Sequence, residues 1–498
     1  MIGIYLPRET DLNLQPDLAG EFPVYIYWPE DKSFLLYSRS IEDLLADERV
    51  TMPLKVCYQG LSFLLQSGVV PPPCTAYVGI YILGIGIEAK ITTIDGKVEA
   101  AFHYNFPFSN ANRLAPNEMK PDEELILQLL AEATVKRMTS SAPSFLFHSA
   151  GKDSNSIALA LAEAGWQDKL SLITHKSKGK TDESEISAKI AEKLGFKHHV
   201  LHEVDLLKKE HVQAINDYFE SAPFPSTDNV TLAYPLYSQQ LPKVKSANII
   251  DGMGNDVYIG HIPNGKEYKL QSISKYIKKS RSLTNYLNSE NNLSVLGRSR
   301  SEWTGLSGLS YSDVKTVLPY AYDVSNYWFS TDTNEDYLDF RASFRGTIID
   351  QEIFTRKARN FASSINSNLI LPWANQHVAE YFSKLPEKYV FDRKCLKNKL
   401  VLRTMLKNRL GLDSDAVGKM SWTFDSSEVV RKNLVFFTSE IESCKLWDHS
   451  ALVKLLNRFT NKINHEGRPG FKVRSCIYRL YLISSWYNRN RYLNATSR

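Results

Sequence analysis

The chain has 498 residues, enough for two or three domains with sizeable hydrophobic cores. Its hydrophobic content of 43% and charged content of 23% are typical of a globular protein and exclude a disordered or fibrous chain. A formal net charge of +5, from 60 basic and 55 acidic residues, is small for this length and predicts no dedicated nucleic-acid surface.

The cysteines and the apolar runs exclude further classes. No Cys/His spacing suits a zinc site, so we expect reduced thiols at Cys57, Cys74, Cys395, Cys444 and Cys476. The N-terminus lacks a basic segment followed by an apolar one, and no apolar run reaches the roughly 18 residues that a membrane helix needs. We therefore expect a cytoplasmic protein without a membrane span.

The first part of the chain, to about residue 105, is predicted to be β-rich. Aromatic and β-branched runs predict strands over 22–28, 33–37, 77–91 and 98–102, with a helix over 54–66. The segment 107–116 has the composition of a linker. We therefore predict an N-terminal β-rich domain over 1–115 and a second domain over 120–498.

From Pro121 onward, strands alternate with helices. Strands are predicted over 145–148, 170–175, 198–201 and 247–251, separated by helices over 122–139, 154–164, 183–194 and 210–219. This alternation indicates βαβ units and a parallel sheet, hence an α/β fold whose ligands bind beyond the carboxyl ends of the strands. The remainder, from about residue 262, is predicted to be mostly helical, with an elaborated loop region near 279–310.

The first of two informative loops, Ser149-Ala-Gly-Lys-Asp-Ser154, joins a predicted strand directly to a helix. The first N–H groups of a helix lack partners and its dipole is positive there, so this turn predicts an anion site. Ser149, Ser154 and the Gly151 amide can donate to phosphate oxygens, and Asp153 can hold a divalent cation that bridges phosphates. The spacing fits neither a Walker A loop nor GxGxxG. The loop predicts a cradle for a magnesium nucleotide; an ordinary polar-capped turn is the alternative.

A second glycine-rich loop, Gly252-Met-Gly-Asn-Asp256, follows the strand predicted over 247–251. Asp256 is expected at the same sheet edge as Asp153 and could supply a second carboxylate to the same cation. Mg²⁺ is usually held by one or two carboxylates together with phosphate oxygens and water. A glycine turn with a capping aspartate is the alternative here, but two such loops at one sheet edge favour a site.

Together the two loops resemble the ATP pyrophosphatase superfamily (adenine nucleotide alpha hydrolase-like), and within it the asparagine synthetase family. The first is similar to the Ser-x-Gly-x-Asp-Ser pyrophosphate loop. The second is similar to the family's Ser-Gly-x-Gly-Ser-Asp-Glu loop, with Gly252, Gly254 and Asp256 matching. Other segments resemble the family in order and spacing: 182–199, 371–386, 399–403 and 418–422. The resemblance extends over residues 120 to 480 or so.

The resemblance implies that a carboxylate is adenylated by ATP and that an amine then attacks the acyl-AMP, releasing AMP. It implies ATP and Mg²⁺ as cofactors, with Asp153 and Asp256 as metal ligands. Nucleotide contacts are implied for Ser149, Ala150, Gly151, Lys152, Asp153, Ser154, Thr174, Gly252 and Gly254. Lys419 matches a family lysine near the reacting centre, where a cation would stabilise charge on the adenylate, so Lys419 and Asp256 are the predicted catalytic residues.

The implied partners are a carboxylate-bearing substrate (a peptide, a metabolite or a sugar acid) and an amine or ammonia. Ammonia made elsewhere would require a companion biosynthetic enzyme. No nucleic acid and no membrane are expected as partners.

The chain departs from the family in the part that handles nitrogen. Glutamine-using members carry a nucleophilic cysteine directly after the initiator Met, and here that position is Ile2. We therefore expect the N-terminal domain to be a shortened, inactive glutaminase-like β-sandwich. The family's Glu-x-Arg-x-Pro segment falls on 368–372, where Asn368 replaces a Glu that acts near the amine. Asn cannot serve as a general base, and Glu352 and Tyr337 are candidate substitutes by proximity in sequence alone.

Family members without glutaminase activity include β-lactam synthetases and lasso-peptide cyclases. With its size, its short N-terminal domain and no nucleophilic cysteine after the initiator Met, this chain resembles the cyclases most. We predict an ATP-dependent, AMP-forming amide ligase without its own glutaminase. One alternative is a catalytically degenerate synthetase that binds nucleotide or a partner protein, which Asn368 and the altered second loop favour. Another is thiolation or tRNA modification, which Lys152 favours and which the small net charge and the lack of a cysteine pair oppose.

Overall fold

The computed structural model describes residues 2–7, 10–178, 182–265, 267–270, 287–291, 293, 297–331, 336–417 and 424–494. The strands are β1 (Gly3–Tyr5), β2 (Leu12–Leu14), β3 (Val24–Tyr27), β4 (Leu35–Ser38), β5 (Ile80–Leu83), β6 (Ile87–Ile94), β7 (Lys97–Tyr104), β8 (Ser144–Phe147), β9 (Leu170–Lys176), β10 (Lys197–His202), β11 (Asn248–Ile250), β12 (Asn368–Ile370), β13 (Phe391–Asp392) and β14 (Lys397–Asn398).

The α-helices within these residues are α1 (Ile41–Ala46), α2 (Tyr58–Ser67), α3 (Glu123–Val135), α4 (Lys152–Glu163), α5 (Ser184–Leu194), α6 (Lys209–Ser221), α7 (Ala233–Gln240), α8 (Asp256–Ile259), α9 (Tyr311–Val317), α10 (Ser325–Ser330), α11 (Tyr337–Arg341), α12 (Arg356–Ser364), α13 (Gln376–Lys384), α14 (Glu387–Val390), α15 (Leu400–Leu410), α16 (Ser414–Val417), α17 (Ser426–Lys432), α18 (Leu434–Glu442), α19 (His449–Thr460) and α20 (Gly467–Arg489). A π-helical segment, Ala342–Thr355, joins α11 to α12.

The N-terminal region contains two antiparallel sheets, with strand orders β1-β4-β3-β5 and β2-β6-β7. Alternation places Ile87, Ala89 and Ile91 of β6 on one face, while Glu88 and Lys90 point to solvent. That apolar face packs with buried residues of the other sheet, among them Ile26 and Leu83. The two sheets therefore share a core, as they do in a β-sandwich.

One strand prediction in this region is wrong. The run 77–91 was expected to form a single strand, but it forms β5 and β6, which belong to different sheets. The chain turns between them at Gly86, whose φ of +76° suits glycine and would strain most other residues. A hydrophobic run cannot by itself show where the chain leaves one sheet for the other.

The second region is built on a parallel sheet with strand order β10-β9-β8-β11-β12. After β8 the chain adds β9 and β10 on one side and then returns to place β11 on the other. The order therefore reverses at the carboxyl end of β8, which is where open α/β sheets form a crevice. The predicted α/β class, with a β-rich N-terminal region and a helical C-terminal part, is confirmed.

Helix ends follow local sequence signals. Asp122 caps α3 by accepting from the Leu125 amide at 3.1 Å, and Gly195 ends α5 with a φ of +80°. In the segment predicted to be a linker, Arg113 is anchored by donating to backbone carbonyls of Tyr258 (2.5 Å) and Leu385 (3.1 Å). The linker is therefore attached to the second region rather than free of it.

The largest hydrophobic cluster joins both regions. It contains Tyr77 and Leu61 from the N-terminal region together with Phe224, Tyr478 and Trp486. These buried side chains belong to one continuous core that both regions share. The division of the chain into two domains at 115–120 stays a prediction. In the described part of the chain, no helix combines the length and the apolar character needed to cross a membrane.

Candidate active site

The loop between β8 and α4 is ordered by its own side chains. The Ser149 hydroxyl accepts from the Gly151 amide at 3.1 Å, and the Ser154 hydroxyl accepts from the Ser149 amide at 3.2 Å. Gly151 caps the helix with extended backbone. The loop therefore presents the start of α4 at the carboxyl edge of the sheet, as the sequence predicted.

A buried, uncharged pair supports this loop from beneath. The Asn155 side-chain amide donates to the carbonyls of Ser149 (2.9 Å) and Gly151 (2.6 Å), and its oxygen lies 3.0 Å from Nε2 of His148. Burial lowers the pKa of His148 to about 4, so the ring is neutral near pH 7 and Nε2 carries the proton. The loop is thus fixed without adding charge to the site.

Asp153, Asn255, Asp256 and Lys399 form what we call the acid–lysine cluster. The Lys399 ammonium lies 2.7 Å from Asp153 Oδ2, 2.8 Å from Asp256 Oδ1 and 2.9 Å from Asn255 Oδ1. The Asn255 amide donates to the other oxygen of Asp153 at 2.6 Å. The structure therefore brings the two predicted metal ligands to one point, where both face the same cation.

Charge within the cluster fixes its protonation states. Burial alone would raise the pKa of Asp256, but the Lys399 ammonium holds it well below its usual range. Burial opposes the charge of Lys399 as well, and the two carboxylates raise its pKa nonetheless. Asp256 is therefore ionised and Lys399 is protonated near pH 7.

Lys399 itself was not predicted as a site residue. It precedes α15 in a left-handed backbone conformation (φ +58°) and is only 5% exposed. The segment 399–403 resembled a family motif, which was the available signal. Its contact with Asp153 depends on packing between α15 and α4, which sequence spacing does not reveal.

A cavity of about 220 Å³ opens beside the loop and the cluster. It is lined by predicted residues Ser149, Gly151, Asp153, Ser154, Thr174 and Gly252, and also by His175, Glu183, Asp251 and Lys357. Gly252 permits the close approach of the two loops, since a Cβ there would lie 3.1 Å from the Ser154 nitrogen. The hydroxyl of Thr174 meets Nε2 of His198 at 2.9 Å.

Three residues predicted to contact the nucleotide, Ala150, Lys152 and Gly254, are not among the described residues that line the cavity. The Ala150 amide donates to the Glu183 carboxylate at 2.8 Å, and burial raises the pKa of that acid. Gly254 packs against Ala374 with a φ of +112°, so it shapes the second loop. Among the described residues that line the cavity, neither Lys152 nor Gly254 is present.

Asp256 also belongs to a second group, with His261 and Asp350. One ligand atom from each lies within 4.8 Å of the others. The Arg341 guanidinium donates to Nδ1 of His261 at 3.1 Å, and burial lowers the pKa of this ring, so the imidazole is neutral with its proton on Nε2. Burial raises the pKa of Asp350 to about 7, and nearby Asp256 adds to the effect.

The remaining predicted residues either do not line the cavity, among its described residues, or lie outside the residues that the structure describes. Lys419 lies outside the residues that the structure describes. Glu352 binds Arg356 at 2.5 Å, and Tyr337 stacks near Arg300; neither lines the cavity among its described residues. Asn368 lies at the amino end of β12, where its side-chain amide donates to the Arg137 carbonyl at 2.7 Å. It is therefore at the end of the sheet opposite to the cavity, which opens at the carboxyl ends of the strands.

Comparison with models of known protein families gives a match. The family model described as asparagine synthase matches residues 125–414, more than half of the chain. The matched stretch includes both loops, the parallel sheet and Lys399. A search among curated proteins returned no similar sequence.

Proposed function

The chain belongs to the asparagine synthase family of ATP-dependent C–N ligases, and on that basis we propose that it is an AMP-forming amide ligase. It would activate a carboxylate of a peptide, a metabolite or a sugar acid and transfer the acyl group to an amine or ammonia. The observation that carries the proposal is the cavity at the carboxyl end of β8, which is lined by the Ser149–Ser154 loop and includes Asp153 of the acid–lysine cluster.

The donors and charges of this cavity suit a magnesium nucleotide. The hydroxyls of Ser149 and Ser154 and the amino end of α4 would face phosphate oxygens. Asp153 and Asp256 already converge on the Lys399 ammonium, so these two carboxylates would hold Mg²⁺. When bound, that ion would neutralise charge on the departing pyrophosphate.

In the proposed first step, a carboxylate oxygen of the substrate bonds to the α-phosphorus of ATP. The bond from that phosphorus to the bridging oxygen of the β-phosphate breaks, and pyrophosphate leaves with the electron pair. Lys399, which contacts Asp153 at 2.7 Å, would stabilise the negative charge that develops on the phosphates. The amine nitrogen then bonds to the acyl carbon, and AMP leaves.

The amine must lose a proton in that second step. We propose that Asp350 accepts it, because its carboxylate lies beside Asp256 at the proposed reacting centre. Asp350→Asn is expected to slow amide formation at least tenfold while ATP binding is retained. Equal losses of ATP binding and amide formation would assign Asp350 to nucleotide binding.

We further propose that the amine does not come from glutamine hydrolysed by this chain. Within the described N-terminal region, the cysteines are Cys57 and Cys74. Cys57 caps α2 through its sulfur, and burial raises the pKa of Cys74, which keeps that thiol protonated and unreactive. Ammonia or a substrate amine would then be supplied from outside.

The decisive experiment measures AMP and pyrophosphate released from Mg-ATP while candidate carboxylates and amines are screened. Asp153→Ala should abolish release and weaken Mg-ATP binding at least tenfold, whereas Asp168→Ala, at an exposed position after α4, should leave both unchanged. Binding of Mg-ATP without turnover on any substrate class would favour the degenerate synthetase. If Asp153→Ala binds Mg-ATP as tightly as the unaltered protein does, the ligase proposal is refuted.

A further inference from the structure

Strand β7 lies at the edge of its sheet, where β6 is its one neighbour among the described strands. The two strands are joined by a two-residue turn, Asp95-Gly96, whose φ angles are both positive (+51° and +74°). In such a hairpin the residues that flank the turn form a hydrogen-bonded pair, and hydrogen-bonded pairs then alternate along the strands. The backbone groups that point away from β6 therefore include those of Val98, Ala100 and Phe102.

The fold covers only the first part of this outer edge. The Val98 amide donates to the Lys32 carbonyl at 2.9 Å, and the Trp28 indole N–H donates to the Val98 carbonyl at 3.0 Å. Both bonds agree with the alternation deduced from the turn. Farther along the strand, no residue in the described part of the chain forms a backbone hydrogen bond with the outward groups of Ala100 or Phe102. The edge is therefore open at these two residues.

The β5 edge of the other sheet is covered along its length. The Ile82 amide donates to the Pro73 carbonyl at 2.9 Å, and the Thr75 hydroxyl donates to the Ile80 carbonyl at 2.8 Å. An uncovered strand edge is a template for pairing with another chain, which is why proteins usually protect such edges. The open stretch of β7 has no such protection from the described residues, so it is available for a further strand.

The side chains of this stretch suit a strand pair. Phe102 is half-buried and stacks on Tyr81, with 5.4 Å between the ring centroids, so an added strand would cover more of its apolar surface. Ala101 points to the other face of β7 and is exposed. Its methyl group is small enough for two copies of this residue to face each other.

We propose that two copies of this chain associate through antiparallel pairing of their β7 strands. The two open residues, Ala100 and Phe102, lie symmetrically about Ala101. A two-fold axis at Ala101 would therefore pair Ala100 of each copy with Phe102 of the other, and each pair would exchange both of its backbone hydrogen bonds. This interface is independent of the proposed ligase function.

The same register opposes no like charges along β7. Glu99, which pairs with Lys32 at 2.7 Å within its own chain, would lie opposite His103 of the second copy. Lys97 would lie opposite Asn105. Like charges directly opposite each other destabilise a strand pair, so this register avoids the main electrostatic cost of pairing a strand with itself.

The test measures the mass of the full-length protein by analytical ultracentrifugation from about 1 to 200 µM. The unaltered protein should form a dimer. Ala101→Lys and Ala101→Glu each place two like charges at the axis, so each variant should dimerise at least tenfold more weakly. An equal mixture of the two variants should recover the dimer, because a lysine then faces a glutamate. Ala111→Lys, the same change at an exposed position outside β7, should dimerise as the unaltered protein does.

Amide hydrogen exchange at Ala100 and Phe102 provides a second measurement. Both amides should be protected in the dimer and exchange rapidly in either charged variant alone. The proposal is overturned if the unaltered protein remains monomeric up to about 200 µM, if both variants dimerise as tightly as it does, or if their mixture does not recover the dimer. Protection of these amides in a monomer would also overturn it, because another segment of the same chain would then cover the edge.

Discussion

The ammonium of Lys399 neutralises two carboxylates that the fold brings together, so removal of this ammonium should destabilise the folded protein. In Lys399→Met, Asp153 and Asp256 would repel each other without a shared cation. We expect unfolding stability to fall by about 1–3 kcal/mol, less than for a fully buried pair because the Asp256 side chain is 40% exposed. Urea unfolding measures this change.

The matched control is Lys397→Met. Lys397 pairs with Asp415 on the surface, so its loss should change stability by no more than about 0.5 kcal/mol. ATP-dependent pyrophosphate release should fall at least a hundredfold in Lys399→Met and remain unchanged in the control. Equal effects of the two substitutions would show that the acid–lysine cluster has no special role.

Asp251, in the wall of the ATP cavity, should make stability depend on pH. Burial raises its pKa to about 6. The unfolded chain therefore loses this proton at lower pH than the folded protein does, and the group's contribution to stability falls as pH rises from about 4 to 6. Asp251→Asn removes that loss. It should be more stable than the unaltered protein by on the order of 1–2 kcal/mol at pH 7.5, with the gain vanishing near pH 4.

Chemical denaturation at pH 4.5, 6 and 7.5 checks this prediction. A gain of the same size at all three values would mean that the substitution acts through packing rather than through charge. A loss at pH 7.5 would mean that the ionised carboxylate is stabilised by Lys357 more strongly than burial opposes it.

At the scale of elements, the second loop depends on the conformation of Gly254. Its φ of +112° is unfavourable for a side chain, and a Cβ would lie 3.1 Å from the Ala374 nitrogen. Gly254→Ala should therefore destabilise the protein by about 1–3 kcal/mol and weaken Mg-ATP binding, since Asp256 follows two residues later. Thermal unfolding and nucleotide titration measure the two effects.

Gly265→Ala is the control for that substitution. A Cβ at Gly265 meets no atom within 4 Å, and the backbone there does not have a positive φ. The change should be nearly neutral. If Gly254→Ala behaves in the same way, the second loop is more adaptable than its contacts with Ala374 indicate.

The elements that sequence predicted best are those with strong local signals. The β8–loop–α4 unit follows from an apolar run, a glycine turn and helix-forming residues, and it lies where expected. The run 77–91 shows the opposite case, because both of its strands are apolar and only the turn at Gly86 separates their sheets. Local pattern determines element type more reliably than sheet membership.

At the scale of the whole molecule, the N-terminal region and the helical part should unfold together. Tyr77 is 2% exposed, its hydroxyl donates to the Pro223 carbonyl at 2.5 Å, and its ring lies 5.4 Å from that of Trp486. Tyr77→Ala should cost about 3–5 kcal/mol and lower the melting temperature of a single calorimetric transition.

Leu206→Ala, at a side chain 60% exposed, should shift that transition little. Two resolved transitions in the unaltered protein, with only the first moved by Tyr77→Ala, would contradict a shared core. They would instead support the predicted division of the chain near residue 115 as a boundary between independent domains.

By itself, the sequence determined the α/β class, the phosphate-type loop at Ser149–Ser154 and the acidic loop ending at Asp256, because each is written in consecutive residues. Only the tertiary structure decided that Lys399 joins the two loops and that Asn368 lies at the amino end of its strand, away from the site at the carboxyl ends of the strands. Those relations are between residues tens to hundreds of positions apart. Packing brings such residues together, and no local periodicity records it.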